Sequence, residues 1–444
     1  MPNLNPNSTK YIHNYEPNTN DLTMAMDYDP AGMPVLRIDD TSLQHTSKDR
    51  AKVSPYEIVF FNTFQFDKED DVWDEVVVNG ATSVHSTYTS EVVLTVDGTQ
   101  PGSRVTRQSR NVMRYIPGRT GEATFAVVFG PNITGIKKRV GVFDDNNGFY
   151  LEQEDGQLTF VIRSKATGSV VETRIPQAEW NQNKLDGTGI KSTILDFTKR
   201  QIVIFEYEWY GSGLCELKFL IDDHPMSAHK QFHGNKQTLP WMQTPFNPIR
   251  YEIENVSATS GTASLYQGSN SILLEGQTSK EGIAASIASP ITGTTMAAAN
   301  SWYPILSIRL RPGRLSGVVL PTFFQVATTD NTNVFYRVVR NAVIGTGGAA
   351  WAVVPDSGST FTEYQTYTSP SAIAIADQGS RVDTGFVIAG GGGAAINLNP
   401  STQYQIGRRT TTKIGDTSDT ITILCASNNA NKSALAALTW IEQR

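Results

Sequence analysis

The sequence predicts an all-β chain, with two antiparallel β-sandwich modules behind an extended N-terminal arm. Three observations carry this. Short β-branched or aromatic runs recur at roughly 8–12-residue spacing over most of the 444 residues. Asn-Gly, Asp-Gly and Gly-Ser-Gly punctuate them as turns. No internal repeat of about 20–50 residues appears, which excludes solenoids and propellers.

Residues 1–52 show no period. Pro2, Pro6, Pro17, Pro30 and Pro34 block regular helix, and Asn, Thr and Asp fill most of the rest. Tyr11, Ile12, Tyr15, Met24, Met26, Tyr28, Met33 and Val35 are scattered through the segment. A disordered tail usually carries fewer such groups. The reading is an arm that orders against a neighbour; the alternative is a floppy leader.

Residues 53–100 form a small β segment. Ile58–Phe61, Val76–Val78 and Val92–Val96 are strand-like, and Asn79-Gly80 and Asp97-Gly98 mark turns. Residues 101–258 read as the central sandwich. Phe125–Phe129, Val140–Phe143, Phe149–Leu151, Leu158–Ile162, Val170-Val171, Ile202–Phe205 and Leu214–Ile221 are its expected strands. Residues 259–300, rich in Ser, Thr, Ala and Gly, read as a connector, with one short helix over Glu281–Ser289 stopped by Pro290. Residues 301–444 are the second sandwich. Ile305–Arg311 alternates with period 2, and Val334–Val339, Phe386–Ile388, Tyr404–Ile406 and Thr420–Leu424 follow. Trp440, close to the C-terminus, predicts a docked last strand.

Charge narrows the function classes. The net charge is −6 and only 18% of residues are charged. An acidic chain argues against a general nucleic-acid binder. No run of about 18 apolar residues is present, so no membrane insertion is expected. The N-terminus lacks a positive n-region and an apolar core, so no secretory signal is expected. Cys215 and Cys425 are too far apart for a metal knuckle and read as buried thiols of a protein made in a reducing cytoplasm.

Four constellations each have more than one reading. Arg104, Arg107, Arg110, Arg114 and Arg119 cluster with no acid between Asp97 and Glu122. Guanidinium forks suit an acidic neighbouring subunit or an anionic glycan; the plainer reading is an internally paired or solvated loop. Trp180, Trp209, Tyr210 and Trp241 suit a sugar site, or the core or interface of a sandwich. His224, His229 and His233 lie close together, but no Cys is near, so surface or structural histidines are favoured over zinc. Asp144-Asp145-Asn146-Asn147-Gly148 has adjacent rather than alternating carboxylates and reads as a hairpin turn, not a calcium loop. Catalytic fingerprints such as G-x-S-x-G, H-E-x-x-H and the phosphate loop are missing. The reading is therefore not an enzyme, with no cofactor and no metal.

Several segments resemble virion structural proteins of tailed bacteriophages, with related modules in large DNA viruses. The carriers are Asn111–Arg119, Arg139–Tyr150, Gly168–Arg174, Trp180–Gly189, Leu195–Thr198 and Pro248–Ile253, then Ile414–Thr420 and Ala437–Glu442. The resemblance implies jelly-roll or lectin-like sandwiches on a particle, mounted on the tail, baseplate or fibre by the arm. It is weak on location, so a capsid decoration protein and a glycan-binding adhesin stay open. It implies other virion proteins and copies of the chain, as a homotrimer, for partners; a host surface glycan is a further candidate. Arg104, Arg107, Arg110, Arg114, Arg119, Tyr11, Tyr15, Met24, Met26 and Tyr28 are the expected assembly contacts. Trp180, Trp209, Tyr210 and Trp241 are the candidate glycan contacts.

Overall fold

The computed structural model describes residues 10–12, 23–28 and 34–39, and residues 55–443 except 189–191, 258–260, 277–281, 356–359, 390–393, 398–404, 407 and 410–416. The chain divides into residues 1–55 and residues 56–444.

In the first unit, Lys10–Ile12, Thr23–Tyr28 and Pro34–Asp39 pair as an antiparallel three-stranded sheet. This is more regular than an arm without period. Met24, Met26 and Tyr28 recur at every second position, which is a strand signal that the surrounding prolines obscure. Tyr15 lies outside the described residues.

The second unit contains two sandwiches. In the first, one sheet runs edge to edge through Val171–Pro176, Gln157–Ser164, Gly148–Glu154, Ile136–Phe143, Pro248–Asn255, Arg104–Val112 and Trp73–Val78. The facing sheet runs through His224–Phe232, Leu214–Ile221, Gln201–Tyr207, Gly121–Val128, Ala263–Glu275, Glu91–Val96 and Thr82–Ser86. Tyr56–Asn62 pairs with the far half of Ala263–Glu275. Alternation places one set of side chains between the sheets. Phe125, Phe149, Phe160, Phe205, Leu151 and Tyr251 are among those fully buried there.

The boundaries therefore move. Residues 53–100 are not a separate segment, because their strands complete both sheets of the first sandwich. Residues 259–300 are not a connector. Ala263–Glu275 is a central strand paired on both sides, and its alternation is broken by a shift between Gln267 and Asn270. The expected helix is also corrected: Ile283–Ala288 is a strand paired with Lys432–Gln443. Ile283, Ala285 and Ile287 alternate with small polar or apolar residues, a period of 2.

The second sandwich begins at this strand. One sheet orders Ile283–Ala288, Lys432–Gln443, Val318–Thr328 and Ala394–Asn397, with Thr294–Met296 also on the last strand of the chain. The other orders Ala352-Val353, Thr362–Thr366, Tyr303–Leu310, Thr420–Ser427, Val334–Arg340 and Ser380–Val387. Trp440 is fully buried between them, so the last strand is docked. Tyr404 lies outside the described residues, and Ile406 makes only an isolated bridge to Val319.

The hairpin at Asp144 has a four-residue turn, with Gly148 already paired to Phe143. The Asp144 carboxylate accepts hydrogen bonds from the backbone N–H of Asn146 and Asn147, each at 2.7 Å. Gly148 has φ of +128°, and a Cβ there would lie 2.3 Å from the Phe143 Cα. Gly148→Ala should destabilise the first sandwich by more than the roughly 1 kcal/mol of an ordinary turn glycine. Chemical denaturation of the variant checks this.

Candidate functional site

Side chains that point away from the core of the first sheet form a lattice of charge and aromatic rings. Strand register sets its rows. Thr159, Glu152, Arg139, Glu252 and Thr106 stand side by side across five strands. Two residues along, Arg174, Val161, Tyr150, Gly141, Arg250 and Gln108 make the next row. A third holds Glu172, Arg163, Gly148 and Phe143. Gly141 cannot carry a side chain, because its Cβ would come within 2.4 Å of the Phe149 carbonyl oxygen.

The rows are tied together. Arg139 donates from Nε to Glu152 at 2.6 Å and from its other arm to Glu252. Arg174 closes on the second Glu152 oxygen. Arg250 donates to Asp145 at 2.6 Å and to the Gln108 side-chain Oε1 at 2.7 Å. Tyr150 donates to Glu172 at 2.8 Å and accepts from Arg163 at 3.0 Å. The Arg163 and Arg250 guanidiniums lie 5.6 and 5.2 Å from the Phe143 ring centroid, within cation–π range.

Most of this lattice is buried, and the charges decide its chemistry. Burial on its own would raise the Glu252 carboxyl. Arg139 and then Arg250 more than offset that and bring it down to about 2. Burial likewise opposes the charge on Glu152, and Arg139 and Arg174 hold its pKa below the ordinary value. Both carboxylates are ionised near neutral pH with their oxygens occupied by guanidinium donors. A general acid needs the opposite, a carboxyl held protonated by its surroundings.

Three of the five expected arginine contacts lie within the chain instead. The segment that carries Arg104, Arg107 and Arg110 is a strand, not a loop. Arg107 is fully buried, with its guanidinium 2.6 Å from Glu75 and 5.6 Å from the Trp73 ring centroid. Arg110 pairs with Asp74 at 2.8 Å. Arg114 is buried against Glu57. The acids come from residues 57–75, on strands adjacent in space but not in sequence. This reassigns Arg107, Arg110 and Arg114 from a neighbouring subunit to internal pairing. Arg104 is half-buried on the same strand, and Arg119 lies against Gly276. Tyr11, Met24, Met26 and Tyr28 fall on the strands of the first unit.

The aromatic candidates separate. Trp180 is core: it is buried, stacked on Phe219 at 5.9 Å, and donates from Nε1 to the Ile175 carbonyl. Trp209 and Trp241 lock the turn at Gly211 and the loop after it. Trp209 donates to the Met242 carbonyl at 3.1 Å, and Trp241 to the Trp209 carbonyl at 3.1 Å. Tyr210 is 44% exposed, and its backbone N–H reaches the Tyr115 hydroxyl.

The histidines diverge too. His224 is exposed on an edge strand. His229 is buried, and its Nδ1 accepts from the Asn181 N–H at 3.3 Å. His233 lies flat on Trp241, with ring centroids 4.6 Å apart and planes 7° from parallel. Cys215 and Cys425 are free and buried, and burial pushes both thiols well above their ordinary pKa. Among the described residues, no helix is long and apolar enough to cross a membrane.

These sheets define an all-β protein built of antiparallel β-sandwiches. No protein-family model matches the chain, and no curated protein matches it in sequence. Solved structures of similar architecture include a glycoside hydrolase family 16 endo-glucanase from Bacteroides ovatus, 11% identical, with 48% of this chain and 100% of that chain covered at a TM-score of 0.32. The Emp47p carbohydrate recognition domain is 12% identical, with 54% and 100% covered and a TM-score of 0.30. A protein of unknown function from Shewanella oneidensis MR-1 is 10% identical, with 55% and 94% covered and a TM-score of 0.35.

Proposed function

We propose that the chain is a non-enzymatic structural protein of a phage virion, mounted through residues 1–55 on the tail, baseplate or fibre and presenting its sandwiches on the particle surface. The observation that supports a structural role is the ion-pair lattice. Its carboxylates Glu152 and Glu252 are clamped by arginines on neighbouring strands, so they have no proton to give near pH 7. The virion assignment rests on the segments quoted from Asn111 to Ile253 and from Ile414 to Glu442. Exposed apolar side chains add support. Ile58 and Phe61 stand out from the strand that begins at Tyr56, directly after the first unit, and Phe66 is 80% exposed. Surface of this kind suits burial against a neighbour in an assembly.

Deleting residues 1–50 tests the proposal. The truncated chain should retain the unfolding transition of the full chain and fail to enter particles. Normal incorporation of the truncation contradicts anchoring by the first unit.

A further inference from the structure

We propose that the open side of the first sandwich carries a binding groove for a neutral oligosaccharide. The groove, of about 470 Å³, opens between the edge strand Val171–Pro176 and the loop that follows His224–Phe232. That volume is within the range of small-ligand sites. The inference stands on the groove alone and goes beyond a structural role.

Its apolar side is formed by Ile162, Val171, Leu239 and Pro240. Val171 and Leu239 are each about half exposed, so this surface is open rather than core. Gln231, Gln237, Thr173 and Thr238 supply amide and hydroxyl groups around it. His233 lines the groove at 6% exposure. Its Nδ1 lies 2.8 Å from the Gly213 carbonyl oxygen, which can only accept, so Nδ1 carries the proton. That leaves Nε2 as an acceptor. Stacking on Trp241 fixes the ring, and Trp241 is itself held by the Trp209 carbonyl.

The composition selects the ligand class. The lining holds no carboxylate among its described residues and one cation, the exposed Lys236. A phosphate or sulfate would find no guanidinium fork there. A purely apolar ligand would leave the amides, hydroxyls and the His233 acceptor without partners on desolvation. A sugar ring has an apolar face for Leu239, Pro240 and Val171 and hydroxyls for the neutral polar groups.

The test uses the purified full chain on a printed array of neutral and acidic oligosaccharides, followed by calorimetry with the strongest neutral probe. Thr173→Trp fills the groove from an exposed edge position where substitution costs little stability. Gln231→Ala removes one polar contact. Neutral probes should bind the wild type. Thr173→Trp should abolish binding with its thermal unfolding unchanged, and Gln231→Ala, which also removes the partner of His229 Nε2, should weaken binding about tenfold. The assignment is overturned if no neutral probe binds, if binding is confined to acidic probes, or if Thr173→Trp binds like the wild type.

Discussion

Replacing Arg139 by methionine should lower the unfolding free energy by about 3–5 kcal/mol at pH 7, the usual cost of removing one partner from a buried ion pair. Among the ion pairs of the described residues, Arg139 is the only guanidinium that reaches both Glu152 and Glu252. Without it, two buried carboxylates on the strands that flank Ile136–Phe143 on either side lose their shared counterion. Glu252 keeps Arg250 at 3.5 Å, and Glu152 keeps Arg174. The pH dependence follows from the same pair. The Glu252 carboxyl titrates at about 2 in the folded chain, against an ordinary value of 4.5. Its stabilisation is therefore fully present above about pH 4.5 and is lost as pH falls from there towards 2. The difference corresponds to about 3 kcal/mol. Glu152 is shifted in the same direction and adds to the loss. Denaturant titrations at pH 7 and pH 3 check both statements. The wild type should lose stability steeply between them, and Arg139→Met should lose less, because its carboxylates are no longer held as far down. Equal losses in the two proteins would contradict the lattice.

Phe205→Ala should cost about 3–5 kcal/mol, the range for emptying an aromatic site in a packed core. Phe205 is fully buried on the strand Gln201–Tyr207. Its ring meets Phe125 at 5.8 Å within its own sheet, and Phe149 at 5.5 Å and Phe160 at 6.0 Å in the facing one. The cavity would therefore open between the two layers, where neither backbone can collapse into it. Tyr210→Ala, at a half-exposed position only three residues after that strand, should change stability by under about 0.5 kcal/mol. Denaturation midpoints of the two variants compare them directly. A small effect at Phe205 would contradict the packing of one sheet on the other.

The strands that were legible in the sequence are those with one apolar face, or a continuous apolar run, and a turn at the end. Leu214–Ile221 is of the first kind, while Val140–Phe143 and Leu158–Ile162 are buried on both faces and read as short continuous apolar runs bounded by turns. Arg104–Val112 was not legible as a strand. Its core-facing side carries Arg107, whose charge is met by Glu75 from a strand much earlier in the chain, so polarity there does not report exposure. Ala263–Glu275 was hidden differently. Gly268, Ser269 and Asn270 sit where its register shifts, and the parity of apolar residues changes across them.

The lattice was invisible as a unit, since Arg139 and Glu252 are 113 residues apart. One trace of it existed. Arg250, Glu252 and Glu254 alternate with Tyr251 and Ile253, which places three charges on one face of a half-buried strand. The His233 and Trp241 stack had no such trace, because it depends on how the loop after Phe232 returns to the sheet edge.

The measurement that bears most directly on the structural role is immunogold labelling of intact particles with an antibody against residues 301–444. Gold concentrated at the tail end is the expected result. Gold over the head would contradict the tail placement and make the chain a decoration protein. Particles without gold, with the protein free in the lysate, would contradict the virion role altogether.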